Sequence, residues 1–95
     1  MAVGIRLRFS GGNQDQYEMV HAYMGFAGNP PEGLIFHVGG PIYGGWGVQE
    51  VWVSYEAFDR FVAGRLQPAL QALGSRGLPN LLEVDEFPVH RIIKP

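Results

Sequence analysis

The chain has 95 residues, of which 46% are hydrophobic and 17% are charged, and its formal net charge is −2. This length fits one domain over residues 1–95, and the composition argues against a disordered or membrane-spanning chain. The slightly acidic balance and the absence of cysteine argue against nucleic acid as a partner and against disulfides, thiolate nucleophiles and zinc-thiolate sites. Because arginines interrupt the apolar N-terminus, we expect a cytoplasmic protein without a signal peptide and without a membrane partner.

The first part of the chain predicts a strand, a helix and a second strand. Residues 3–9 alternate apolar and polar side chains, which is typical of a strand with one apolar face. Asn13 can cap a helix that runs to about Phe26, where a Gly-Asn-Pro-Pro run stops it. Residues 34–38 then predict the second strand.

A β-hairpin is predicted at the centre of the chain. Residues 46–53 form its second strand, and a glycine-rich loop of seven residues, 39–45, joins the two strands. This loop lacks the Lys and Ser/Thr of a phosphate-binding loop and precedes a strand, so it argues against a nucleotide site. Tyr43 near its tip is a candidate to close over an apolar ligand or to contact a second subunit.

The C-terminal part predicts the longest helix and a last strand. Ser54 can cap a helix from Tyr55 to Leu73, and Pro68 within it must either bend the helix or divide it into two. Leu81 to about Ile93 then predicts a strand that lies at a sheet edge or is bulged near Pro88.

The order of these elements, β-α-β-β-α-β, predicts an α+β fold of the ferredoxin-like type, with an antiparallel sheet and both helices on one face. Trp46, Val48, Glu50 and Trp52 share one face of the third strand, because side chains alternate along a strand. A face with two tryptophans open to water would favour aggregation. We therefore expect this face to pack against the sheet of a second subunit, which predicts a homodimer.

Three histidines are the first candidates for acid-base chemistry, because their charge changes near neutral pH. His21 lies at the apolar stripe of the first helix, where a structural histidine is favoured over a reactive one. His37 interrupts an apolar strand just before a turn and can face a cavity, although a buried histidine bonded to the backbone explains it equally well. His90 follows a strand irregularity that can aim it into a site, and an edge-strand surface histidine is the alternative.

Glu50 is the single charge in an apolar strand, so it needs a partner. Pairing His37 with residue 48 places His37 and Glu50 on one face, pairing it with residue 49 places Phe36 there instead, and the sequence leaves this register open. On one face, the imidazole and the carboxylate form the usual arrangement of a base and its orienting group. No histidine pair has metal-ligand spacing, so we predict no metal site.

Short motifs spread over nearly the whole chain share a family pattern. They are Gly33-Leu34-Ile35-Phe36-His37-Val38-Gly39-Gly40-Pro41, Gly45-Trp46, Val51-Trp52 with Ser54 and Glu56-Ala57-Phe58, Arg65-Leu66 with Pro68-Ala69-Leu70, and Phe87-Pro88-Val89-His90. Together they resemble small bacterial dimeric α+β barrel proteins related to antibiotic-biosynthesis monooxygenases and polyketide cyclases. The resemblance implies that two ferredoxin-like protomers press their sheets together into a barrel.

The resemblance also implies a range of chemistry, because one fold hosts many functions. Haem-degrading relatives use a histidine on the second helix, and its absence from residues 55–73 argues against haem. Cyclase-like relatives pair a tyrosine with a histidine in an apolar cavity, for which the chain offers Tyr17, Tyr43, His37 and His90.

We expect each protomer to enclose a cavity that binds a small apolar or aromatic molecule. The expected lining consists of Tyr17, His21, Phe36, Tyr43, Trp46 and Trp52. His37, Glu50 and His90 are the candidate catalytic groups of a cofactor-free reaction, in which a histidine or glutamate removes a proton from an activated carbon and oxygenation or ring closure follows. The alternative is a non-catalytic ligand-binding or dimeric scaffold protein with packed histidines.

Overall fold

Four strands and two helical regions build the protein. The computed structural model describes residues 1–79 and 83–95. Its strands are β1 (Val3–Ser10), β2 (Leu34–Ile42), β3 (Gly45–Trp52) and β4 (Glu83–Pro88). Its helices are α1 (Gln14–Met24), α2 (Tyr55–Phe61) and α3 (Gln67–Leu73), with a π-helical segment at Val62–Leu66 and a 3₁₀ turn at Gly74–Arg76.

All neighbouring strands are antiparallel, and their order across the sheet is β2-β3-β1-β4. This order, with helices after β1 and β3, is the predicted ferredoxin-like α+β arrangement, which is therefore confirmed. None of the helices in residues 1–79 and 83–95 is long and apolar enough to cross a membrane.

Helix α1 is closed at both ends by short-range hydrogen bonds. The Asn13 side chain accepts from the Gln16 backbone N–H at 2.9 Å, and the Gln16 side chain accepts from the Asn13 backbone N–H at 3.2 Å. At the other end Gly25 has a φ of 64°, and the backbone N–H groups of Gly25 and Phe26 donate to Ala22 and His21. The left-handed glycine ends the helix before Phe26, slightly earlier than predicted.

The hairpin between β2 and β3 is tighter than predicted. The seven-residue loop is wrong, because β2 continues to Ile42 and leaves the two residues Tyr43 and Gly44 as the turn. Pro41 has no backbone N–H to donate, and β2 tolerates it because this strand lies at the sheet edge. At Gly47 an added Cβ would lie 2.7 Å from the Ile42 side chain, so glycine there permits close packing across the hairpin.

The second helical region is one continuous run from Tyr55 to Leu73. Ser54 caps it as predicted, because its hydroxyl accepts from the Ala57 N–H at 3.1 Å. Pro68 neither divides nor ends it. The π-helical segment ends at Leu66, two residues before Pro68, and the Gln67 N–H donates to the Val62 carbonyl. This segment widens the turn where the proline ring would otherwise crowd the backbone.

The last strand is shorter than predicted. It lies at a sheet edge as expected, but residues 89–95 form no strand, and the predicted start at Leu81 lies outside the described residues. Pro88 pairs with Val3, the first residue of β1, and one further bond joins the Val89 N–H to the Ala2 carbonyl. The alternating residues after Pro88 therefore have no strand beside them to pair with.

Alternation along the strands gives the sheet two different faces. The covered face, which lies under the helices, carries Val3, Ile5, Leu7, Phe9, His37, Trp46, Val48, Glu50 and Trp52. The open face, on the other side, carries Arg6, Arg8, Phe36, Val38, Ile42, Gln49, Val51, Asp85 and Phe87.

The prediction that the tryptophans face a second sheet is wrong. Trp52 is 0% exposed and Trp46 is 6% exposed, and both belong to the core under the helices. The helices cover the side of the sheet that offers the larger aromatic area, since this buries the most apolar surface within one chain. The face that remains for a partner is the open face.

Candidate active site

The central pair of the site is His37 on β2 and Glu50 on β3. The strand register places these two residues directly opposite each other, so they share the covered face. His37 Nδ1 lies 2.7 Å from Glu50 Oε2. An irregularity between Leu34 and Phe36 shifts the register, so that His37 pairs with neither residue 48 nor residue 49.

Trp52 holds the second oxygen of the Glu50 carboxylate. Its indole N–H donates to Glu50 Oε1 at 3.0 Å, and Glu50 is only 3% exposed. An ionised carboxylate with one oxygen bound to Trp52 presents the other to His37, whose Nδ1–H then donates to it. This leaves the lone pair of His37 Nε2 as a hydrogen-bond acceptor on the side away from Glu50.

Tyr17 completes this set of hydrogen bonds from helix α1. Its hydroxyl lies 2.5 Å from His37 Nε2. Burial raises the pKa of Tyr17 above 10.0, and the nearby carboxylates of Glu18 and Glu50 raise it further. Tyr17 therefore keeps its proton at neutral pH, and its O–H donates a hydrogen bond to Nε2. We call Tyr17, His37 and Glu50 the Tyr-His-Glu triad.

His21 packs beside the triad. Its ring centroid lies 4.2 Å from that of Tyr17, 4.5 Å from that of Phe26 and 5.0 Å from that of His37. Burial lowers the pKa of His21 to about 4, and the neighbouring His37 contributes to the shift. At neutral pH His21 is therefore an uncharged aromatic wall next to His37.

The space between these side chains is small. It amounts to about 20 Å³, which is room for about one water molecule. Its boundary includes Tyr17, His21, Phe26, His37, Phe61 and Leu66. The walls come from α1 and the loop after it, from α2 and the π-helical segment, and from β1, β2 and β3 of the sheet. A larger ligand therefore enters only if a side chain moves.

Several candidate residues lie elsewhere. Phe36 is 45% exposed on the open face, because its neighbour His37 takes the covered face. Tyr43 is 94% exposed at the hairpin turn, and His90 is exposed beyond β4, across the sheet from β2. The structure brings none of these three side chains to the triad.

The two tryptophans have different relations to the triad. Trp52 bonds to Glu50 directly, as described above. Trp46 lies under α1 with its ring centroid 5.0 Å from that of Tyr17, and its buried indole N–H has no hydrogen-bond partner among the described residues. The sequence indicated both tryptophans, but it did not show that Trp52 donates to Glu50 whereas Trp46 packs on Tyr17.

Sequence reasoning missed Phe26, Phe61 and Leu66. Phe61 and Leu66 follow the apolar period of the long helix, which predicts burial without predicting what a side chain faces. Phe26 had one usable signal. A hydrophobic residue directly after a helix-ending glycine commonly folds back onto the last turn of the helix, here onto His21.

Within the described parts of the chain, no group of three or more His, Cys, Asp and Glu side chains is arranged to hold a metal ion. A porphyrin does not fit the space beside His37, which holds about one water molecule.

A second concavity of about 410 Å³ lies on the open face. Its walls include Arg6, Arg8, Gln49 and Asp85, and Arg8 donates to the Tyr43 carbonyl at 3.0 Å. It is broad and contains charges of both signs, but no histidine. Of these two concavities, the one on the covered face thus contains the histidines.

Comparison with known proteins identifies the fold. No family model matches the sequence, and no curated protein matches it. Similar solved structures include a proposed antibiotic biosynthesis monooxygenase from Chloroflexus aurantiacus, with 20% identity, 97% of each chain covered and a TM-score of 0.65. SnoaB, a cofactor-independent oxygenase from Streptomyces nogalater, has 23% identity over 99% of this chain and 97% of its own, with a TM-score of 0.60.

A variant of MhuD with two manganese protoporphyrin IX molecules per active site is also similar, with 24% identity over the whole of both chains and a TM-score of 0.60. At identities this low the likeness is one of fold. The predicted resemblance to the ferredoxin-like proteins of the antibiotic-biosynthesis monooxygenase group is confirmed at that level.

Proposed function

We propose that the protein binds a small aromatic or enolisable molecule beside the Tyr-His-Glu triad and removes a proton from it. The observation that carries this proposal is the triad itself. Glu50 orients the imidazole of His37 through Nδ1, so that Nε2 is left as the proton acceptor. A buried carboxylate, an imidazole and a hydroxyl in sequence are the arrangement that activates serine in hydrolases, with tyrosine here at the outer end.

The first step is a proton transfer. Nε2 of His37 takes a proton from an activated carbon or hydroxyl of the ligand, and the positive charge that develops on the ring is stabilised by Glu50 at 2.7 Å. The Tyr17 hydroxyl, displaced from Nε2, donates instead to the oxygen of the resulting enolate or phenolate. The raised pKa of Tyr17 supports this donor role.

Oxygenation follows if dioxygen is the second substrate. The carbanion of an activated methylene group forms a carbon-oxygen bond with O₂, and the peroxide anion takes back the proton held by His37. Loss of water from this hydroperoxide removes the remaining hydrogen from the same carbon and leaves a carbonyl group. The likeness to a cofactor-independent oxygenase supports this chemistry, for which the triad supplies the base and the donor.

A second candidate is a protein without chemistry, either a dimeric scaffold with packed histidines or a non-catalytic ligand-binding protein. It is favoured by one observation, the space of about 20 Å³ that holds only about one water molecule. In this case the triad is a satisfied polar group of the core, and its hydrogen bonds fix the packing of α1 on the sheet.

We also propose that two copies of the chain associate through their open faces. Phe36, Val38 and Phe87 are about half exposed on this face, and such apolar surface is typical of a contact site. The face carries both Arg6 and Asp85, so it can be complementary to itself across a two-fold axis. Analytical ultracentrifugation tests this proposal, with Val38→Lys expected to weaken association at least about tenfold, and an unchanged association would contradict it.

A substrate panel tests the proposed reaction. Phenols, hydroquinones and cyclic diketones are mixed with the protein in air, and oxygen uptake and product mass are measured. For any compound turned over, His37→Gln is expected to lower kcat/KM by about 10²- to 10⁴-fold, because the base is lost. Gln49→Ala, on the other face of the same sheet, is the matched control and is expected to keep full activity.

The outcomes separate the two candidates. Equal rates in the wild type and in His37→Gln would overturn the catalytic role of the triad. Binding of panel compounds that perturbs the NMR signals of His37, with neither oxygen uptake nor product, would favour the non-catalytic candidate.

A further inference from the structure

The place beside His37 is already occupied by an aromatic ring of the chain itself. Phe26 is only 7% exposed, and its ring centroid lies 5.0 Å from that of His37 and 4.5 Å from that of His21. Phe61 packs edge-on against Phe26, with 5.9 Å between the two ring centroids. Because only about 20 Å³ remains around these rings, a ligand that reaches His37 must displace a wall.

Phe26 is the ring of this wall that does not belong to a helix or strand. It follows Gly25, the left-handed residue that ends α1, and precedes a Gly-Asn-Pro-Pro run that leads to β2. Its backbone N–H donates to the His21 carbonyl at 3.2 Å, a bond that persists when the side chain rotates. The ring can therefore leave the site by side-chain rotation, without unwinding α1 or separating β2 from β3.

We propose that the Phe26 ring occupies the position of the ligand, and that a single-ring aromatic compound with a hydroxyl group binds there when Phe26 swings out. This inference rests on the proposed function and names its ligand class. The volume released is that of one six-membered ring, so a monocyclic compound fits where a fused ring system would need further walls to move. The ligand needs a hydroxyl group because the Phe26 ring lies beside the imidazoles of His21 and His37, whose nitrogens can form hydrogen bonds. Phe61, the other neighbour, provides only hydrocarbon surface.

The competing explanation is local packing. A hydrophobic residue after a helix-ending glycine commonly contacts the last turn of the helix, and Phe26 makes this contact with His21. In that case the ring is a permanent part of the core, and its removal leaves an apolar hole without preference for a hydroxyl group.

The test uses the variant Phe26→Ala, with Phe58→Ala as matched control and with phenol and benzene as probes. Phe58 is equally buried but packs on Trp52, with its ring centroid 5.8 Å away. Binding is measured by titration calorimetry. Phe26→Ala is expected to bind phenol at least tenfold more tightly than the wild type does, and at least tenfold more tightly than it binds benzene. Phe58→Ala is expected to show neither gain.

Two results would overturn the inference. One is the absence of tighter phenol binding in Phe26→Ala, and the other is benzene binding as tight as phenol binding, which indicates a simple hole of the kind that large-to-small core substitutions leave. If Phe26→Ala does not fold, Phe26→Leu provides the same comparison. This smaller change is expected to give a smaller gain for phenol with the same preference over benzene, and no gain or no preference counts against the inference.

A further variant links the preference to the triad. Adding His37→Gln to Phe26→Ala is expected to reduce the preference for phenol while benzene binding remains. Failure of this inference is distinguishable from failure of the proposed function. Wild-type turnover that depends on His37, without phenol binding in Phe26→Ala, leaves the reaction intact and removes only the assigned ligand position.

Discussion

The same strands give the two faces of the sheet different surroundings. Gln49 and Glu50 are neighbours on β3, yet Gln49 lies exposed on the open face and Glu50 is buried on the covered face between His37 and Trp52. Hydrogen bonds on the covered face are shielded from water, which strengthens them and makes any unpaired group costly. The open face keeps its charges in solvent and exposes apolar side chains such as Phe36 and Val38. The alternation of side chains along one strand thus separates the proposed reaction site from the proposed contact between two copies.

The largest expected difference between the two faces is in stability. Glu50→Ala is expected to lower the free energy of unfolding by about 2–4 kcal/mol, because His37 and Trp52 lose their acceptor in a buried site. Gln49→Ala is expected to change it by no more than about 0.5 kcal/mol. Urea unfolding at concentrations where the protein is monomeric measures both. Equal losses of unfolding free energy in the two variants would show that the buried hydrogen bonds of Glu50 do not stabilise the protein.

A smaller difference is expected in the response to pH. The pKa of His21 falls from 6.5 to about 4 on folding, so between these values the unfolded chain binds a proton that the folded chain does not. Stability is therefore full above pH 6.5 and is lost as the pH falls towards 4. Because the ring is only half-buried, we expect a contribution of about 1–2 kcal/mol after solvent screening.

Replacement of each histidine separates this effect from the rest of the chain. His21→Phe keeps an aromatic ring and is expected to flatten the stability profile between pH 4 and 6.5, measured by thermal unfolding. His90→Gln, at an exposed position, is expected to leave the profile unchanged. A flat wild-type profile, or one altered equally by both substitutions, would contradict the assigned burial of His21.

The smallest expected difference lies within the covered face. Trp52→Phe removes the donor to Glu50 Oε1, whereas Trp46→Phe removes a buried N–H without a partner among the described residues. Both substitutions lose ring volume, so the hydrogen bond accounts for the difference between them. Trp52→Phe is expected to cost about 1 kcal/mol more than Trp46→Phe in urea unfolding. A larger cost for Trp46→Phe would reverse the assignment.

The fold was predictable because its signals are periodic. Alternating residues in β1, the Asn13 and Ser54 caps and the order of the elements all depend on local sequence. The alternation also placed Trp46, Glu50 and Trp52 on one face. It could not show which layer covers that face, since this depends on how the helices pack, and the tryptophans were therefore wrongly expected to face a second sheet.

The site was only partly predictable. The sequence indicated His37, Glu50 and Tyr17 by residue type, but their contact depends on an irregular register in β2 that no local pattern specifies. Phe26 reaches the site from a loop, where no period relates sequence position to direction. The hairpin loop was predicted too long because glycines are more typical of loops than of strand interiors.

The most direct test of the central claim is the protonation state of the His37 ring in the wild-type protein. A ¹⁵N–¹H NMR correlation spectrum at neutral pH distinguishes the two ring nitrogens. We expect a proton on Nδ1, hydrogen-bonded to Glu50, and an Nε2 that carries no proton and accepts from Tyr17. A proton on Nε2, or a ring with both nitrogens protonated, would contradict the claim that Glu50 prepares His37 as a base.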